Sequence, residues 1–467
     1  MKTIRIGSGA GYGGDRIEPA LDLIRSGNLD YIIFECLAER TIALAQQRKM
    51  TDPDLGYNEF LEYRFEKMFP ILKEQIDAGR TPVKIITNMG AANPSSALRA
   101  VRALACAAGL PQLRIAAVVG DDVFGRIGEY SGLTVLETGL PLASIEDKIV
   151  SANAYIGASG IVQALEQGAD IVITGRVADP ALVLGPLIHE FGWAMDDWDK
   201  LGKGTAAGHL LECGAQVCGG YYADPGYKDV PAPWNQGFPI AEITEDGQIT
   251  ITKLKEAGGL VDRHTVTEQL IYEIHDPSRY LTPDVTADFS QIWLEEDGKD
   301  RVIVRDASGS PKNGLYKVSI GYRDGFIGEG EIIYGGSGCM ARAELAAKIV
   351  RHRLEPWKDE IQELRVDLIG VNSLYGSGRA GLDDADAVLD GMAVEPAEVR
   401  LRVALRSEDR RTAAVAGEEV EALYTNGPAG GGGARKYVRS IISVASVFIP
   451  ENDVDIRVVM EDEEAVK

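Results

Sequence analysis

Five short runs of almost unbroken apolar residues punctuate the first part of the chain: "TIRIGSG", "DYIIFECL", "VKIITNMG", "RIAAVVGDD" and "ADIVITGRVAD". A strand with one solvated face alternates apolar and polar residues, whereas a strand covered by helices on both faces is apolar throughout. Between the runs, "DRIEPALDLIRSG", "AERTIALAQQRK", "PSSALRAVRALACAAG" and "GIVQALEQG" carry helical periodicity. Strand alternating with helix predicts a parallel sheet of α/β class. The strands are expected at residues 3–7, 31–35, 83–87, 114–119 and 170–174.

The pattern changes further along. "GGYYADPGYKDVPAPWNQGFPIAEI" has little periodicity but carries Tyr221, Tyr222, Tyr227, Trp234 and Phe238, too many aromatics for a linker, and reads as a lid over a cavity at about 219–240. From about residue 315, "LYKVSIGY" and "FIGEGEIIY" flank Arg323-Asp324-Gly325 as a hairpin would. A helix, two strands, a helix and two terminal strands follow. The expected organisation is a mostly parallel α/β domain over residues 1–310, holding the ligand site, and a smaller α+β domain over 311–467.

With 467 residues the chain is long enough for more than one core. Its formal charge of −23 argues against nucleic acid and anionic membrane as partners. No run of apolar residues reaches membrane-spanning length and no signal-peptide pattern follows Met1, so a cytoplasmic location is expected. The 5 scattered cysteines fit a reducing compartment. A homo-oligomer that binds a small molecule is the expected state.

Ligands of open α/β sheets bind beyond the carboxyl ends of the strands. Here those ends carry Gly11, Asp15 and Arg16; Glu35; Asn88 and Asn93; Asp121 and Asp122; Arg176 and Asp179. Turn and capping chemistry accounts for any one of them, but five polar ends in a row predict one crevice. Glu35, Asp121 and Asp122 are the candidates for proton transfer, and Arg16 and Arg176 for holding a carboxylate. If Arg176 is such a clamp, Arg176→Lys is expected to spare the melting temperature and weaken binding.

Gly9, Gly11 and Gly14 match G-x-G-x-x-G formally, and Glu35 stands where the ribose-binding acid of a dinucleotide site would. Asp15 at the start of the following helix opposes an anion there, which disfavours NAD. His209 and Glu212 share a helix face as an acid/base pair would, with a structural histidine as the alternative. No second Cys or His pair completes a metal site around them, so no metal is expected. Cys339 lies at a helix N-terminus where a thiolate would be stabilised, although a small buried residue at a tight turn is the commoner reading. Gly431, Gly432 and Gly433 before Arg435 and Lys436 form a candidate phosphate cradle without Walker spacing.

Taken together, "GAGYGGDR", "NMGAANP", "VVGDDV", "ITGRVADPAL", "GHLLECGAQVCGGYYADPG", "YLTPDV", "YGGSGCMAR" and "GPAGGGGAR" resemble the AtuA (acyclic terpene utilisation) family over nearly the whole chain. The resemblance implies a cytosolic catabolic protein working beside enzymes that degrade branched or terpenoid acids as CoA thioesters. It also implies a large N-terminal α/β domain, followed in some members by a ferredoxin-like unit. It carries no assignment of catalytic residues. The leading expectation is therefore an enzyme acting on a branched acid or its CoA thioester by hydration, dehydration, isomerisation or lyase chemistry. Two alternatives stand beside it: a nicotinamide-dependent oxidoreductase using the Gly9–Gly14 loop, and a non-catalytic subunit of acyl-CoA carboxylase or dehydrogenase enzymes.

Overall fold

A computed structural model of the chain describes residues 1–374 and 396–461. The chain divides into two compact units, Met1–Tyr322 with Val444–Lys467, and Arg323–Ser443. The second unit is thus an insertion that starts beyond residue 311, because the end of the chain returns to the first unit.

The five apolar runs are β1 (Thr3–Ala10), β2 (Tyr31–Phe34), β3 (Lys84–Thr87), β4 (Ile115–Val119) and, after β5 (Ile149–Ala154), β6 (Ile171–Thr174). They pair in parallel in the order β1-β2-β3-β6-β4. Both faces are covered, as the apolar runs require. Tyr31 and Ile33 of β2 enter one core with Ile86, Ala116 and Val118, while Ile32 and Phe34 enter the other with Ile85, Ala117 and Ile173. The helices α1 (Glu18–Ser26), α2 (Glu39–Thr51), α3 (Leu61–Asp77), α4 (Pro94–Ala107) and α5 (Ser159–Glu166) fall between these strands.

The complete sheet is mixed rather than mostly parallel. After α6 (Ala181–Phe191) and α7 (Trp198–Glu212), β7 (Pro239–Thr244) and β8 (Ile249–Lys253) add antiparallel strands outside β1. The helix α8 (Arg263–Leu270) and the short strands β9 (Tyr280–Leu281) and β10 (Thr286–Asp288) lead to β11 (Trp293–Glu296) and β12 (Arg301–Arg305), which extend that edge. Next come β13 (Ser308–Ser310), β14 (Leu315–Gly335), α9 (Cys339–Leu354), β15 (Glu363–Ile369) and β16 (Glu398–Ser407). The helix α10 (Arg410–Glu421), β17 (Gly431–Pro450) and β18 (Arg457–Met460) finish the chain, and β18 runs antiparallel to β4 to close the ten-stranded order. Of these added strands, β7–β8 and β11–β12 are hairpins, whose short turns make antiparallel pairs.

The hairpin expected at Arg323-Asp324-Gly325 is not formed. β14 is one continuous strand whose first part pairs with β5 and whose second part pairs with β16. The backbone of Ser407 lies 2.6 Å from where a Gly325 Cβ would be, so the glycine permits a close strand approach instead of a reversal. In the second unit, β15, β16, β14 and β17 form one sheet. Ile332, Tyr334, Leu401, Val403 and Leu405 on one face pack with Met340, Ala343 and Val350 of α9 and Ala413, Ala416 and Val420 of α10.

Candidate functional site

Beyond the carboxyl ends of the parallel strands, four of the expected polar groups form one hydrogen-bonded network. Asn88, fully buried after β3, accepts from the Cys36 amide (2.7 Å) and donates to Glu35 Oε1 (3.0 Å). The Leu37 amide also donates to Glu35 Oε1 (2.9 Å). Asp121, buried after β4, accepts from the Arg176 amide and from Asn153 Nδ2, both at 2.9 Å. Arg176 links the two halves, since its Nη1 donates to the Leu37 carbonyl at 2.6 Å.

The Arg176 guanidinium is fully buried and directed inward. Nε and Nη2 donate to the Val177 carbonyl (3.1 and 2.7 Å), Nη2 also pairs with Asp179 Oδ1, and the group lies 4.4 Å from the centre of the Tyr155 ring. Its fork is committed to the protein itself, so its evident work is to hold Asp179. That differs from the substrate clamp read from the sequence.

Asp179 keeps 31 % of its side chain exposed, on the wall of a cavity of about 260 Å³. Tyr155, Tyr280, Glu39, Glu273 and Lys317 are among its other polar groups, with Thr282 and Asn313; Leu281, Leu315 and Phe448 supply apolar surface. The Tyr155 hydroxyl donates to Glu39 Oε1 (2.5 Å), and Lys317 Nζ lies 3.3 Å from the same oxygen. Burial raises the Asp179 carboxyl to about 7 against the opposing charge of Arg176, with Glu212 and Glu39 adding to the rise. Burial and then the Asp179 charge push Glu35 well up, again opposed by Arg176. Burial would raise Glu39 too, but the Tyr155 hydrogen bond, with the charges of Lys317 and Arg176, holds it down at about 2. Asp121 is raised by burial to about 6. Carboxyls of one neighbourhood are thus driven apart in proton affinity. Of the strand-end groups expected around one crevice, Asp179 lines this cavity, while Glu35, Asn88, Asp121 and Arg176 are not in its lining.

The glycine loop is filled by protein. A Cβ on Gly11 would lie 2.2 Å from the Cys213 carbonyl carbon and 2.5 Å from the Gly214 nitrogen, and the Gly11 amide donates to Asp15 Oδ2 at 2.8 Å. The glycine serves the close approach of two backbone segments, with an internal carboxylate where a dinucleotide phosphate would be held. Arg16 turns to a separate cavity with Asn235 and Gln236, near the Trp234 carbonyl (3.4 Å). Asn93 caps α4 and donates to the carbonyls of Pro53 and Leu55. Asp122 accepts from the Phe124 amide at 3.0 Å.

Three other expectations fall away from this cavity. In the segment expected as a lid, Tyr221, Tyr227 and Trp234 are exposed, and none of its residues lines the Asp179 cavity. Cys339 is fully buried in the second unit, with Sγ 3.1 Å from the Pro396 carbonyl. Gly431, Gly432, Gly433, Arg435 and Lys436 belong to β17 and form no loop, and Lys436 pairs with Glu421 (2.5 Å). Among the described residues no cluster of three or more His, Cys, Asp or Glu is placed to hold a metal ion, and no helix is long and apolar enough to cross a membrane.

Sequence reasoning missed Tyr155, Tyr280, Glu39 and Lys317 as site residues. Tyr280 opens "YLTPDV" and Asp179 lies in "ITGRVADPAL", two of the stretches that carry the family resemblance, so the motifs did mark part of the cavity. Glu39 and Lys317 stand on an ordinary helix start and an ordinary strand, and nothing local distinguishes them. No curated protein and no solved structure matches the chain. The sequence model of the acyclic terpene utilisation family protein AtuA matches residues 4–460, and the chain therefore belongs to the AtuA family, which implies a part in acyclic terpene utilisation.

Proposed function

We propose that the protein is an enzyme that acts on a branched or terpenoid carboxylic acid, or on its CoA thioester, by moving a proton to or from the acyl chain. Hydration, dehydration, isomerisation and carbon–carbon lyase steps all share that requirement. The observation that carries the reading is Asp179: a carboxyl on the cavity wall, oriented by a buried arginine and raised to about 7 by burial. A general acid/base works best when its proton affinity matches the working pH.

The rest of the cavity suits such a substrate. Lys317 is the cation in the lining that an incoming carboxylate or thioester oxygen meets, and Leu281, Leu315 and Phe448 provide contact for branched alkyl groups. Tyr280 is raised, first by burial, and remains a protonated hydrogen-bond donor for an oxygen that gains negative charge, whereas Tyr155 spends its proton on Glu39. About 260 Å³ is small beside cavities that enclose drug-sized ligands, so it takes an acyl group while a nucleotide carrier stays outside.

Deuterium exchange tests this reading. The protein is incubated in D2O with an acyclic terpenoid acid and, separately, with its CoA thioester, and label in the acyl chain is read by mass spectrometry. Incorporation by the wild type that is lost in Asp179→Asn supports the proposal. Incorporation at equal rates in both proteins, or none with either compound, overturns it.

A further inference from the structure

The second unit carries a cavity that the proposed reaction leaves unused. One face of its sheet packs on α9 and α10; the other presents the alternate residues Arg365 of β15, Arg402, Ala404 and Arg406 of β16, and Glu329 of β14. The strand register sets Ala404 between Arg365 on one side and Glu329 on the other. Residues two apart on a strand share a face, so Arg402 and Arg406 flank the same alanine along β16. A methyl group among long side chains leaves a pit. Its volume is about 240 Å³, and Arg439 and Ile441 of β17 line it as well.

Four arginines thus surround the pit, with Glu329 and Glu363 as the carboxylates of its lining. Asp367 and Asp324 stand outside the lining and hold three of those arginines. Asp367 is 2.9 Å from Arg365 Nε and 3.2 Å from Arg402 Nη1, and Asp324 pairs with Arg406. Glu329 is 2.8 Å from Arg402 Nη2, whereas Arg439 Nη2 approaches it only to 3.7 Å, beyond hydrogen-bond length. Arg406 Nε is buried with no acceptor among the described residues. The carboxylates therefore fix the guanidiniums in place while part of their donor capacity stays unspent. Planar guanidinium forks suit phosphate oxygens, which they bind in pairs. An anion approaching a chain of formal charge −23 needs such a local cluster to hold it.

We infer that the pit over Ala404 binds a phosphoryl group, carried either by a free inorganic anion or by a nucleotide carrier whose remaining parts lie outside. Lining arginines that outnumber lining carboxylates favour a phosphoryl dianion over a single carboxylate. The unsatisfied Arg406 Nε and the unbonded Arg439 are donors that its oxygens would complete. The inference is independent of the role given to Asp179.

Isothermal titration calorimetry on the full chain at low ionic strength tests the site with two probes, inorganic diphosphate and coenzyme A. Saturable binding is expected in wild type. Ala404→Leu fills the pit without changing any charge and should abolish it. Arg439→Gln removes an exposed donor and should weaken it roughly tenfold. Tighter binding of diphosphate assigns the pit to a free anion, and tighter binding of coenzyme A assigns it to a nucleotide carrier. No binding of either probe overturns the inference, as does binding that survives unchanged in Ala404→Leu. Should Ala404→Leu fail to fold by circular dichroism, unchanged affinity in Arg439→Gln overturns it instead.

Discussion

Arg176→Lys distinguishes a residue that holds the protein together from one that waits for substrate. In the native protein the guanidinium satisfies the Leu37 carbonyl through Nη1, the Val177 carbonyl through Nε and Nη2, and Asp179 through Nη2. A lysine ammonium in the same space reaches Asp179 and one of the two carbonyls. The carbonyl left over is a buried acceptor without a donor, which costs about 1–3 kcal/mol. Losing the planar group 4.4 Å from the centre of the Tyr155 ring removes a desolvated cation–π contact worth about 1–2 kcal/mol. The sum, about 2–5 kcal/mol, is comparable to breaking a buried ion pair. At about 2–4 °C per kcal/mol, the midpoint of thermal unfolding should fall by about 5 °C or more. Near-UV circular dichroism on heating, with urea unfolding as a second measure, reads this directly. A midpoint within about 1 °C of wild type would refute the reasoning and restore the clamp expected from the sequence.

Gly11→Ala should lower the urea midpoint without changing the slope, by roughly 1–3 kcal/mol or more, because the new methyl meets backbone atoms of Cys213 and Gly214 that cannot turn aside; an unchanged midpoint would show that the loop has room to spare. Thermal stability should fall as pH rises from about 5 to about 8. Asp121 and Asp284, raised from 3.8 to about 6, and Asp179, raised to about 7, bind protons more tightly when folded, so their contribution is lost as pH climbs through those values. His209, also raised, acts in the same direction: its contribution is complete below the ordinary 6.5 and lost above it. Scanning calorimetry across this range should show the decline in wild type and a shallower one in Asp179→Asn, and a wild-type profile that rises with pH would contradict the signs.

The parallel strands were readable because their cause is local. Burial on both faces favours apolar residues along the whole strand, and "YIIF", "KIIT", "IAAVV" and "IVIT" come close to that within a few residues each, with polar groups only at the strand ends. Helices such as α4, with Asn93 capping its first turn, announce themselves in the same way. The connected polar ends, Glu35, Asn88, Asp121 and Arg176, followed from the direction of those strands.

Long-range partners were not readable. Gly325 looked like a turn residue because Asp-Gly favours reversal, but pairing of β14 with β5 on one side and with β16 on the other holds the chain extended. β18 returns to β4 from the far end of the chain, an association that no short window contains. The inward direction of Arg176 depends on the Leu37 carbonyl, and the cavity brings Glu39, Tyr155, Asp179, Tyr280 and Lys317 together across 278 positions of sequence. Periodicity reports whether a residue faces protein or water. Which protein atoms it faces is decided by packing between distant segments, and that packing gives Asp179 its arginine, its buried neighbours and its proton affinity.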